Sequence, residues 1–173
     1  MYFLWLQSAV FYFLGMVPTG EPGRDRTPTY RQPRANLTNP METYAIRLKP
    51  GQDLKREITQ LARERRIRAG CVVTCVGSLR TANLRFANQA EATPLEGKYE
   101  IVSLVGTFSD ESSHLHLSIA DSTGVTIGGH LMEGNLIYTT AELVIGVMPG
   151  LEFAREIDPT YGYPELVVKK RDR

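Results

Sequence analysis

The chain has 173 residues, of which 42% are hydrophobic and 23% charged, the size and balance of one globular domain. Collagen-like, coiled-coil, wholly disordered and multi-span membrane architectures are excluded. The formal net charge is +1; residues 1–40 carry +2 of it, which leaves residues 41–173 at −1, a poor electrostatic match to nucleic-acid phosphate.

Residues 1–17 are almost entirely apolar, and residues 19–40 are a proline- and glycine-rich run around Pro22, Pro28, Pro33 and Pro40 with no hydrophobic period. Three readings of this stretch stand: a signal peptide, which lacks a basic start and a small-residue cleavage site; a membrane anchor, short for a span; or a segment outside the mature protein. The third is favoured, because globular patterning begins at Met41. The expected division is therefore 1–40 leader and disordered linker, and 41–173 folded domain.

From Thr43 to Lys49 the residues alternate and predict a strand, followed by a Pro50-Gly51 turn. Asp53 reads as a helix cap. Leu54, Ile58, Leu61 and Ala62 recur at helical spacing, and Gly70 is expected to stop the helix. The basic side of this helix is interrupted by Glu57 and Glu64, which marks a solvated face. Cys71 to Leu79 is apolar on both sides, as in a central strand, and Ala82 to Ala87 predicts another. Asn88 to Lys98 reads as a polar loop. Strands are then expected over 99–108, 114–120, 125–131, 136–147 and 165–169. One early helix and about seven strands without regular β-α-β alternation predict an α+β fold, a compact single domain with a mostly antiparallel central sheet.

Cys71 and Cys75 lie on one strand, where about 3.3 Å per residue separates them by ~13 Å, too far for a disulfide. Two reduced thiols fit a reducing, cytoplasmic compartment.

The chain's three histidines all fall within 17 residues, in His114-Leu-His116 and Gly128-Gly129-His130. His114 and His116 share a strand face. If Asp121 to Val125 form the hairpin loop, Ala120 pairs with Thr126 and His116 lies opposite His130; a slip of one residue would send His130 to the other face. Three neutral imidazoles with an open fourth position are the ligand set of a catalytic-type zinc site. Spacing alone leaves this beside the plainer reading of surface or interface histidines. Asp121 and Glu133 are the nearby candidates for a fourth ligand. Gly128 and Gly129 inside a strand pattern mark close backbone approach, and Gly124 suits the turn. No nucleophile elbow, phosphate loop or catalytic cysteine signature is present.

The run Gly97-Lys-Tyr-Glu-Ile-Val-Ser-Leu-Val-Gly-Thr-Phe108, followed by His-Leu-His-Leu-Ser-Ile-Ala-Asp121 and Gly-Gly-His-Leu131, resembles the PCC (plants and prokaryotes conserved) domain over about residues 42–169. The chain looks like a stand-alone bacterial member. The resemblance implies a PCC-domain fold assembling as a homotrimer, and a metal usually taken as zinc on His114, His116 and His130. In plant members the stretch matching Gly97, Lys98, Tyr99, Glu100, Ile101 and Val102 helps recruit protein partners. Plant members also carry AT-hooks with an Arg-Gly-Arg-Pro core; Arg31-Gln-Pro-Arg34 lacks that core, so hook-mediated DNA binding is not carried over.

The expected function is a homotrimeric PCC-domain module, DNA-binding or regulatory, with a three-histidine metal site and no membrane requirement for the domain itself. No nucleic-acid-binding or catalytic residue is assigned. Direct DNA binding would need Arg63, Arg65, Arg66 and Arg68 to cluster across the assembly. The alternative is a metal-dependent enzyme or small-molecule binder acting at the histidines.

Overall fold

Residues 40–171 are described by a computed structural model. The leader and linker read at residues 1–40 lie outside them, apart from Pro40. The alternating start of the domain forms β1 (Glu42–Leu48), and the helix α1 (Leu54–Glu64) follows the Pro50-Gly51 turn. Two long strands come next, β2 (Gly70–Arg85) and β3 (Thr93–Phe108). The rest is β4 (Ser113–Ala120), β5 (Thr126–Leu131), β6 (Ile137–Val147), β7 (Leu151–Ile157) and β8 (Pro164–Lys170). The fold is β-rich, with α1 its single helix among the described residues.

The main sheet runs β1-β6-β2-β3-β4-β5, and every pairing is antiparallel. β2 is long enough to serve two neighbours along one edge. Its first part pairs with β6, and its last residues, Leu84 and Arg85, pair with Leu131 and His130 of β5. Strands β2, β3, β4 and β5 thereby close on themselves, which removes free edges at that end of the sheet. Leu79, Leu84, Leu115, Leu117, Ile119 and Leu131 are fully buried inside.

Helix α1 covers the core with Leu54, Ile58 and Ala62, all fully buried. Asp53 caps it as expected: Oδ1 accepts from the amides of Lys55 and Arg56 at 3.0 Å each, while Oδ2 accepts from the Gly134 amide. One carboxylate thus fixes both the helix start and the β5–β6 connection. Asp53→Ala leaves three amides without that acceptor and is expected to cost about 2–3 kcal/mol in denaturant melts. Asp53→Asn should recover part of this, because its amide nitrogen cannot accept from Gly134.

Three boundaries differ from the sequence reading. The helix ends at Glu64, and Arg66 takes the left-handed turn at φ 50°, so Gly70 opens β2 instead of stopping the helix. The strands expected at 71–79 and 82–87 are one continuous strand that bends where its register with β3 shifts, between Leu79 and Thr81. Half of the expected 88–98 loop belongs to β3. The sequence reading holds only the second strand of the hairpin that β7 forms with β8 through a turn at Asp158–Gly162.

Candidate metal centre

Alternation along β4 sends Leu115, Leu117 and Ile119 into the core and leaves His114 and His116 outside. The β4–β5 register is the one expected: Ala120 faces Thr126, and His116 faces His130. The loop fixes it. Asp121 Oδ1 accepts from the Thr123 amide at 2.8 Å, the Thr123 hydroxyl at 2.6 Å and the Val125 amide at 3.1 Å, and Gly124 supplies φ +84°. The Thr123 hydroxyl, before the amides, holds the Asp121 carboxyl below its ordinary pKa. Asp121 is therefore a turn residue. Glu133 is bound to Arg56 at 2.8 Å, so neither acid named from sequence serves the histidines.

Glycines permit the close packing. A Cβ at Gly129 would lie 2.9 Å from the Arg85 carbonyl oxygen, so glycine there lets β5 reach β2. At Gly106, where φ is +136°, a Cβ would collide with the His114 carbonyl oxygen.

The three imidazoles converge. Their ring centroids are 5.0, 5.0 and 5.5 Å apart, and one ligand nitrogen from each lies within 4.8 Å of the others. Nε2 of His114 and Nε2 of His116 are 3.2 Å apart. Two lone pairs at that distance repel unless a cation lies between them or one nitrogen carries a proton. Zinc–nitrogen bonds of about 2.0–2.1 Å in a tetrahedron require ligand nitrogens ~3.3 Å apart, which this pair meets. The three imidazole donors together could hold a metal ion, and their chemistry suits zinc.

His114 and His130 border a cleft of about 910 Å³, whose wall also includes Arg85, Arg155, Tyr163 and Glu165. Arg155 Nη1 is 3.5 Å from His114 Nδ1, and Arg85 is the direct β2 partner of His130. Burial, then the Arg85 charge and the other histidines, pushes the His130 pKa from 6.5 down to about 4. Burial and then Arg155 lower that of His114, with Glu165 opposing. Both imidazoles are thus held in the neutral, ligating form. Below the unfolded value of 6.5 the unfolded chain takes up protons that the fold refuses. Stability contributed by these groups is complete above that pH and is lost as pH falls toward about 4. Thermal midpoints of metal-free protein should drop across that window, and His130→Gln should show a shallower drop.

Sequence reasoning missed Arg85, Arg155, Tyr163 and Glu165 as site residues. The last three come from the β7–β8 hairpin, far from the histidines along the chain. The only local signal was the turn chemistry of Tyr161-Gly162-Tyr163-Pro164.

The segment Gly97–Val102 lies on β3. Gly97, Lys98, Glu100 and Val102 are exposed and Ile101 is in the core. Lys98 lies 4.6 Å from the centre of the Tyr138 ring. Of the arginines considered for DNA, Arg68 is bound to Asp110, Glu111 and Glu152 at 2.8–3.0 Å, and Arg65 sits 5.4 Å over the Tyr44 ring.

These features define a closed antiparallel β-domain that carries three convergent imidazoles on its outer face. Residues 35–149 match the family described as the Plants and Prokaryotes Conserved (PCC) domain, and the chain belongs to that family. A bifunctional protein GlmU of Synechococcus sp. (strain JA-3-3Ab) is 43% identical over 88% of this chain. The match covers 25% of GlmU, and the chain spans about a quarter of the length of such curated relatives. A hypothetical protein from Salmonella has the same fold at TM-score 0.76 and 40% identity, covering 77% of this chain and 96% of its own. A metal-containing protein from Archaeoglobus fulgidus aligns at TM-score 0.64 and 25% identity over 73% and 93% of the two chains. A candidate DNA-binding protein from Ralstonia eutropha aligns at TM-score 0.63 and 22% identity over 72% and 90%, a likeness of fold alone. No helix among the described residues is long and apolar enough to cross a membrane.

Proposed function

We propose that this PCC domain is a zinc-binding module in which His114, His116 and His130 hold the ion and leave a coordination position open toward the cleft. The observation that carries the reading is the 3.2 Å approach of the two Nε2 atoms, within the spacing a tetrahedral zinc site needs. Bound zinc would supply Lewis acidity or polarise a ligand. The chain's own part is to keep the imidazoles neutral and to shape the cleft. Zinc content by elemental mass spectrometry of untagged protein tests this: about one ion per chain is expected, and absence of stoichiometric metal after zinc loading would overturn it.

The assembly is a homotrimer in this reading. Support comes from Val73, Val76, Val102 and Val105, each 50–58% exposed on the central strands β2 and β3, where solvent is a poor neighbour for valine. Exposed Gly97, Lys98, Glu100 and Val102 offer a second, mixed surface for protein partners. Two free cysteines fit a cytoplasmic setting. Sedimentation should give a trimer that Val76→Asp dissociates; a monomer at all concentrations would overturn the assembly.

Direct DNA contact is the second reading and rests on membership of a family that includes plant proteins named for their AT-hook motif. Arg68 is already neutralised by three acids, which weakens the basic cluster it would need. Filter binding without salt-dependent retention would remove it.

A further inference from the structure

His114 and His130 make up only part of the lining of their cleft. At about 910 Å³ the space is far larger than an ion requires and lies in the range of small-molecule sites. Beside them the lining comes from the end of β2 and from the β7–β8 hairpin, and the hairpin lies beyond the 35–149 family match.

Two guanidiniums face this space, Arg85 and Arg155. Two arginines of the domain are neutralised by carboxylates: Arg56 pairs with Glu133 and Arg68 with three acids, at 2.8–3.0 Å. Neither Arg85 nor Arg155 forms an ion pair among the described residues. Their hydrogen bonds are long and go to neutral acceptors. Arg85 Nη1 donates to the Gln89 carbonyl at 3.3 Å, and Arg155 Nη2 donates to the Thr107 hydroxyl at 3.4 Å. Most of the donors of both forks are left for a ligand. Glu165 is the one acid in the cleft wall, so with neutral imidazoles the wall carries a net positive charge, which a bound divalent ion would raise.

We propose that Arg85 and Arg155 clamp the carboxylate or phosphate group of a small molecule in the cleft that His114 and His130 border. Guanidinium forks recognise both oxyanions through paired N–H donors, and a partly enclosed site strengthens that recognition over bulk water. Arg85 is fixed by its strand pairing opposite His130, and Arg155 by its place in the β7–β8 hairpin beside His114, so the two charges flank the histidines from different elements. The inference deepens the metal-site reading and rests on it for the ligand's second point of attachment.

Isothermal titration of the full chain, zinc-loaded and metal-free, with inorganic phosphate and separately with oxalate, tests the clamp. Saturable binding of at least one anion is expected, weakened about 10-fold or more in Arg85→Gln and in Arg155→Gln, while zinc content and melting temperature stay unchanged. Arg155→Lys should restore only part of the affinity, because a point charge replaces a fork. Whichever anion binds more tightly identifies the head group. Absence of saturable binding, or binding unaffected by both glutamine variants, overturns the clamp. Zinc content measured on the same samples separates the two readings. Stoichiometric zinc with no anion response leaves the metal site and removes the clamp. An arginine-dependent anion response without zinc does the reverse.

Discussion

Replacing His116 with alanine is expected to abolish stoichiometric zinc binding while leaving the domain folded. In the proposed site His116 would be one of three ligands: its Nε2 lies 3.2 Å from that of His114, and it faces His130 across the β4–β5 pair. Its side chain is exposed, so its removal opens no cavity in the core. Loss of a merely supporting residue around a metal typically weakens binding about 10–100-fold, and loss of a direct ligand should exceed that. The thermal consequence is separable. Zinc at about 1,000 times its dissociation constant would stabilise the wild type by ~4 kcal/mol, on the order of 10 °C for a domain of this size. Adding zinc should raise the wild-type midpoint by that amount and leave His116→Ala unmoved. Equal zinc responses in the two proteins would remove the histidines from the metal site.

The second large effect is expected at Gly106. Its φ of +136° disfavours any side chain, and its Cβ would strike the His114 carbonyl oxygen and the Leu115 backbone. The strain costs about 1–3 kcal/mol and the forced separation of β3 from β4 a similar amount, so Gly106→Ala should destabilise by ~3–5 kcal/mol. Because the collision falls on His114 itself, zinc affinity should drop as well. Gly124→Ala is the control. Gly124 also has a positive φ, +84°, but nothing lies within 4 Å of its Cβ, so it should lose only about 1 kcal/mol and keep its zinc. Denaturant melts with parallel zinc titrations check both. Similar losses in the two variants would show that backbone strain, and not the approach of β4, governs the site.

The histidine geometry was legible because its determinants are local. A two-residue repeat sets the face of His114 and His116, and a five-residue loop closed by Asp121 and Gly124 sets the register that delivers His130. The helix was legible from Leu54, Ile58 and Ala62 and from the Asp53 cap, although Asp53's second task, holding Gly134, is a contact across 81 residues that no local pattern carries. The union of two expected strands into β2 was hidden by Arg80 and Thr81, polar residues at a bend that read as a break. The far wall of the cleft was hidden for a different reason. Arg155 and Glu165 have ordinary alternating neighbours, and only the folded-back β7–β8 hairpin brings them to histidines some 40 residues earlier, Arg155 lying 41 positions from His114.

The alternation of β4 has a consequence for how such domains diverge. Leucine and isoleucine on one side build the core, while His114 and His116 stand on the other side, and the two sets share no side chain. Descendants can exchange the outward residues for ones that bind a different ligand, or none, without first acquiring a compensating core. The same separation holds for His130, which lies outside the core on β5, so all three positions can be varied without touching the leucines and isoleucines that hold the sheet.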